Sequence, residues 1–310
     1  MALTFPDYNS PSALKAFLDG RGMAMQKKFG QNFLVNGSIR ERLLDILEIR
    51  PEQPVWEVGP GLGAMTKGIL DRGARLTAFE IDRGFSAVLR ELFAGNPRFE
   101  LIEGDARKTW KTVRPAENGK KSGETARPLF FGNLPYNIAA VLLADFITGG
   151  MFFPRLLVTV QKEVALRICA APGSENYSSF SVLCRRFYDS ETAADLAPGN
   201  FWPQPNVLSR AVLLKKKAHP AVCRDDRLFF SLARALFSSR RKTVKNNLDA
   251  WVQRENAGKK QPADSCSLTA FMLQYAGVPE NERAENLPPE TFCALADAAA
   301  ESGAGEPAED

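Results

Sequence analysis

The sequence predicts an α/β fold, a doubly wound and mostly parallel sheet followed by a smaller helical domain. Three observations predict it: strand and helix patterns alternate from residue 55 to residue 161, a glycine-rich turn joins the first strand to its helix, and only helical patterns occur from 227 to 300.

Ser38 to Leu47 places Ile39, Leu43, Leu44 and Leu47 at helical spacing and stops before Pro51, which makes an amphipathic first helix after a polar lead-in. Then follow Val55–Val58 as a strand, Ala64–Asp71 as a helix, Arg75–Glu80 as a strand, Arg83–Phe93 as a helix and Phe99–Glu103 as a strand. Leu129–Gly132 and Leu156–Gln161 are further strands with the helix Ala139–Thr148 between them, so repeated β-α-β units call for a parallel sheet. Residues 114–127, RPAENGKKSGETAR, have no apolar periodicity and are expected to be a surface insertion. Tyr177–Phe187 is helical in pattern and Ser209–Lys215 alternates as a final strand, which places the domains at 1–218 and 219–310. The last ten residues, ESGAGEPAED, have the composition of a flexible tail.

Composition narrows the function. With 310 residues, 45% hydrophobic and 25% charged, the chain is an ordinary globular one. Its richest apolar stretch, Ile138–Ile147, is short and broken by Asp145, so no membrane span is expected. The start MALTFPDYNSPSALK lacks a basic region, an apolar stretch and a cleavage site, and cytoplasmic residence is the expectation. Five dispersed cysteines without a CxxC pair, and one histidine, His219, in a turn before Pro220, leave no metal site and little histidine chemistry. From Glu280 onward nine acidic residues face one basic residue, so residues 1–279 carry a net +12, which points to a polyanionic partner such as nucleic acid.

The chemistry concentrates at strand ends. EVGPGLG, 57–63, follows a strand and opens a helix; Gly59, Gly61 and Gly63 would let backbone amides approach a ligand at the helix's positive end. A dinucleotide site or a purely structural turn would use similar glycines. Glu80 ends the next strand, where a carboxylate can accept both hydroxyls of a ribose. Asp105, in GDA, follows the third strand and can accept from an adenine amino group or simply cap a helix. FGNLPYNI, 131–138, sets an amide, main-chain carbonyls and an aromatic face in one rigid turn, a device for recognising an amine.

In their order and spacing, EVGPGLG, Glu80, GDA and NLPY resemble the S-adenosylmethionine-dependent adenine-N6 methyltransferases. The likeness extends through KKFGQNFL (27–34), QKEVALRI (161–168), YSSFSV (177–182), FWPQPNVLSRAVLL (201–214) and LFSSRRKTVKNNL (236–248). Over about residues 23 to 290 the chain resembles the small-subunit ribosomal RNA adenine dimethyltransferases. That resemblance implies a Rossmann-like class I methyltransferase sheet, S-adenosyl-L-methionine as cofactor, no metal, and transfer to N6 of two adjacent adenosines near the 3′ end of 16S rRNA during small-subunit biogenesis. Gln31, Asn32 and Leu34 would form the lip of the cofactor site, Gly59, Gly61 and Gly63 its floor, with Glu80 on the ribose and Asp105 on the adenine. Asn133, Leu134, Pro135 and Tyr136 would meet the target base, and Asn133 would also border the cofactor. Phe201 would be a second aromatic wall, or else a core anchor. The resemblance further implies a monomer that binds 16S rRNA in the small subunit or its precursor, with SRRKTVKNNL (Arg240, Arg241, Lys242, Lys245) on phosphates; a solvated basic helix face is the alternative.

Overall fold

The computed structural model describes residues 4–25, 31–113, 127–135, 138–256 and 264–302. The expected insertion, apart from Arg127, and residues 303–310 of the tail lie outside them. The chain divides into two compact units: residues 1–146, 151–165 and 190–216 form the first, and 147–150, 166–189 and 217–310 the second.

The first unit opens with a helix absent from the sequence-based expectation, α1 (Pro11–Asp19). Ser10 caps it by accepting from the Ala13 N–H, Pro11 occupies its first turn, and Leu14 and Leu18, one turn apart, are buried. A two-residue strand β1 (Phe33–Leu34) precedes α2 (Gly37–Leu47), whose cap is the Asn36 side chain on the Ile39 N–H. Then come β2 (Pro54–Val58), α3 (Ala64–Asp71), β3 (Arg75–Glu80), α4 (Arg83–Leu92), β4 (Phe99–Glu103), the single turn α5 (Ala106–Thr109), β5 (Leu129–Asn133), α6 (Ala139–Thr148) and β6 (Arg155–Gln161). After α7 (Lys162–Cys169) and α8 (Ser179–Phe187), the chain adds β7 (Tyr188–Leu196), the short β8 (Phe201–Trp202) and β9 (Ser209–Lys216).

Seven strands form one sheet in the order β4-β3-β2-β5-β6-β9-β7. β4 through β6 are parallel, and β9 runs antiparallel to β6, with Arg155 opposite Lys215 and Gln161 opposite Ser209. The central strands are covered on both faces, which is why β5 and β6 read as continuous apolar runs; Leu129, Phe130, Phe131, Leu156, Leu157 and Val158 are all buried. β1 and β8 pair separately, Leu34 opposite Phe201.

The second unit is helical: α8, then α9 (Asp226–Leu236), α10 (Val244–Asn256), α11 (Ser265–Ala276) and α12 (Pro289–Glu301). The sequence places a boundary at 218, whereas residues 147–150 and 166–189 group with the helical unit, in which α8 packs on α9 and α12. Tyr177 ties this segment down, its buried hydroxyl donating to Leu287 O at 2.8 Å. Glu301, expected in the tail, ends α12. The basic motif splits in two. Arg240 donates to Glu175 O and Tyr177 O, both at 3.0 Å, and pairs with Glu285, while Lys245 pairs with Glu280 at 2.6 Å. Arg241 and Lys242 are exposed.

No helix among the described residues is long and apolar enough to cross a membrane.

Candidate active site

Parallel β2, β3, β4 and β5 bring their carboxyl ends to one edge, and strand order reverses between β2 and β5, the place where ligands enter an open α/β sheet. A cleft of about 980 Å³, open mouth included, lies there. Gln31, Asn32, Leu34, Gly59, Gly61, Glu80, Asp105, Asn133 and Pro135 all line it.

The other expected residues fall elsewhere. Gly63 is the N-cap of α3 at φ +88°, and a Cβ there would meet Phe93 Cε2 at 2.9 Å, so it shapes the turn from behind. The Leu134 side chain is buried and folds back under Gly132. Phe201 is 3% exposed within the core cluster and pairs with Leu34, a placement that fits the core-anchor alternative. Tyr136 lies outside the described residues.

Gly61 sits at φ +59°, and a Cβ on it would come within 2.8 Å of the Phe33 ring, so the turn is closed to any side chain. Its N–H donates to Glu80 Oε2 at 3.1 Å, while the Asp82 N–H donates to Glu80 Oε1 at 2.8 Å. Burial nevertheless pushes the Glu80 carboxyl up to about 7. On the adjacent strand Glu57 is buried, accepts from the Thr66 hydroxyl at 2.7 Å, and is pushed up to about 8, chiefly by burial and further by Glu80. Asp105 behaves oppositely. It caps α5 through the Arg107 N–H and pairs with the Arg107 guanidinium at 2.7 Å, which holds its carboxyl below the usual range.

At the β5 end, Asn133 Nδ2 donates to Asn32 O at 2.8 Å, and Asn133 Oδ1 accepts from the hydroxyl of Thr159, its register partner on β6. A carbonyl can only accept, so Asn32 O fixes which end of the amide is nitrogen. The Leu134 N–H donates to Thr159 O at 3.2 Å.

Sequence reasoning missed four residues here. Thr159 was signalled only by being the one polar residue inside the apolar run LLVTV, and Ile81, 46% exposed on the cleft, by its place after a strand-ending glutamate. Phe33 lines the cleft between two residues that were singled out, and Tyr8 reaches it from the lead-in.

A cleft over the reversal point of such a sheet, with an antiparallel strand beyond the parallel ones, is the arrangement of the class I methyltransferase fold. The chain belongs to the ribosomal RNA adenine dimethylase family, whose model matches residues 22–300. It is 46% identical to the ribosomal RNA small subunit methyltransferase A of Treponema denticola over 95% of this chain and 96% of that protein, and 41% identical to the protein of the same name from Treponema pallidum over 94% and 97%. Among solved structures, a dimethyladenosine transferase from Plasmodium falciparum shares the fold, with a TM-score of 0.71 and 24% identity over 86% of this chain and 97% of that one.

Proposed function

We propose that the chain is a 16S ribosomal RNA adenine N6,N6-dimethyltransferase, which moves methyl groups from S-adenosyl-L-methionine to two adjacent adenosines near the 3′ end of the RNA. Family membership and the names of its relatives support the reaction, and one observation carries the site: the amide of Asn133, held from both sides, at the edge of the cleft.

The residues present fit the donor. Glu80 offers a buried carboxylate to a ribose, Ile81 an exposed apolar face to an adenine beside it, and Asp105 a further acceptor at the end of the neighbouring strand. When bound, S-adenosyl-L-methionine supplies an electrophilic methyl on a sulfonium. The protein's task is then alignment, which is a large catalytic term in itself.

The adenine N6 lone pair is delocalised into the ring. Asn133 Oδ1 keeps a second lone pair beyond the one given to Thr159, and accepting an amine hydrogen there favours the pyramidal, nucleophilic form. With the Leu134 N–H engaged by Thr159 O, the Leu134 carbonyl is the group offered to the other hydrogen. Tyr136 would stack on the base, worth about 1 to 3 kcal/mol, once the nucleotide is unpaired or extruded. Gln31, whose amide donates to Asp82 at 3.1 Å, Asn32 and Leu34 would close the lip.

The test is to incubate the chain with labelled S-adenosyl-L-methionine and small subunits from an unmodified strain, then map the nucleosides formed. N6,N6-dimethyladenosine at two neighbouring positions near the 3′ end is expected. Label in large-subunit RNA alone, or none, would overturn the proposal.

A further inference from the structure

Residues 4–21 precede the stretch matched by the family model, yet they pack into the core of the first unit and reach its cleft. Two side chains from this segment, Tyr8 and Leu14, line the cleft. The Tyr8 hydroxyl donates to Leu62 O at 2.8 Å, directly on the glycine turn. The segment is pinned by the buried Arg40, which donates to Leu34 O at 2.7 Å and to Asn9 Oδ1 at 2.8 Å, with its guanidinium 6.0 Å from the Tyr8 ring centroid. Asn9 Oδ1 would lie only 2.7 Å from a Cβ on Gly37, so the fit between segment and α2 leaves no slack.

Sheet order says which part of the donor comes here. Across the carboxyl edge the strands carry Asp105 after β4, Glu80 at the end of β3, the glycine turn after β2 and Asn133 at the end of β5. Neighbouring strands are about 4.8 Å apart, so a ligand with its base near β4 and ribose near β3 sets its remaining, amino-acid end over β2. Tyr8 is bonded to that turn through Leu62 O.

We infer that the amino-terminal segment builds one wall of the donor site, with Tyr8 packing against the amino-acid portion of S-adenosyl-L-methionine. The inference rests on the proposed function and adds a binding residue to it.

Two probes separate the possibilities: S-adenosylhomocysteine, and 5′-methylthioadenosine, which keeps the nucleoside and thioether but lacks the amino acid. Each is titrated calorimetrically into the full chain. Tyr8→Ala should weaken S-adenosylhomocysteine at least about tenfold and leave methylthioadenosine within about twofold; Tyr8→Phe, which keeps the ring and loses the bond to Leu62, should weaken the former by about fivefold. Lys15→Ala, on the exposed face of α1, should change neither. Equal losses for both probes would make Tyr8 a scaffold of the glycine turn and overturn the inference, as would unchanged affinity in Tyr8→Ala. A wild-type chain that binds neither probe would overturn the proposed function itself, and this inference with it.

Discussion

Thr159 and Asn133 face each other across adjacent parallel strands, and the threonine hydroxyl donates to the asparagine Oδ1. In the proposed reaction the pair would make Thr159 a positioning residue, holding the Asn133 amide without touching the amine itself. Thr159→Val keeps shape and burial but removes the bond, and kcat should fall about tenfold or more, with S-adenosylhomocysteine affinity within about threefold. Thr159→Ser should restore most of the rate. Single-turnover methylation and calorimetry check this, and wild-type turnover in the valine variant would refute it.

Donor affinity should depend on pH through Glu80. Its carboxyl is raised to about 7 in the free protein, and only the ionised form accepts two ribose hydroxyls. Binding should therefore release protons, and the Kd for S-adenosylhomocysteine should improve as pH rises from 6 to 8, approaching tenfold per pH unit well below the raised value. Glu80→Gln should bind more weakly and flatten that profile. A wild-type Kd unchanged between pH 6 and 8 contradicts the assignment.

Glu57 bears on stability. Because its folded value, about 8, lies above the ordinary carboxylate value, the native state holds the proton more tightly than the unfolded chain; the stabilisation is complete at acid pH and is lost as pH rises to about 8 and beyond. Glu57→Gln mimics the protonated form and can still accept from Thr66. Its Tm should exceed that of the wild type at pH 9 by several degrees, with the gap shrinking towards pH 5. Melting curves at the two pH values decide, and a glutamine variant less stable at pH 9 would overturn the claim.

The two halves of the basic motif should separate experimentally. Arg240 is held by two main-chain carbonyls and Glu285, so Arg240→Ala should lower Tm, whereas the exposed Arg241 and Lys242 would be the side chains offered to phosphate in the proposed complex. Replacing both exposed residues by alanine should leave Tm unchanged and reduce the slope of log K against log salt for small-subunit RNA by about 1.5. An unaltered slope would retire them as phosphate contacts.

The α/β order was legible because its signals are local. Ala64–Asp71, Arg75–Glu80, Phe99–Glu103 and Ala139–Thr148 occur over the residues expected, each bounded by glycine, a capping acid or a proline nearby. β7 was not legible: YDSETAADL is polar, and its place comes from pairing beside β9, with Arg210 on Asp195 and Lys215 on Glu191 across the strands. In the site, glycines and strand-end acids announce themselves by type and position. Tyr8 and Thr159 do not, because one reaches the cleft from 54 residues away in sequence from its partner Leu62 and the other acts through a register partner 26 residues earlier. Phe201 shows the converse: an aromatic in a motif whose burial follows from its pairing with Leu34.

The assignment of α8 to the helical unit has a consequence for synthesis. α8, whose Val182, Leu183, Cys184 and Phe187 are buried, packs on α9 and on α12. About 100 residues separate α8 from α12, so at translation rates of ~5–20 residues per second α8 waits on the order of 5 to 20 s for its final cover. A nascent chain stopped short of α12 would leave the α8 side of that contact open, a surface for chaperones to hold.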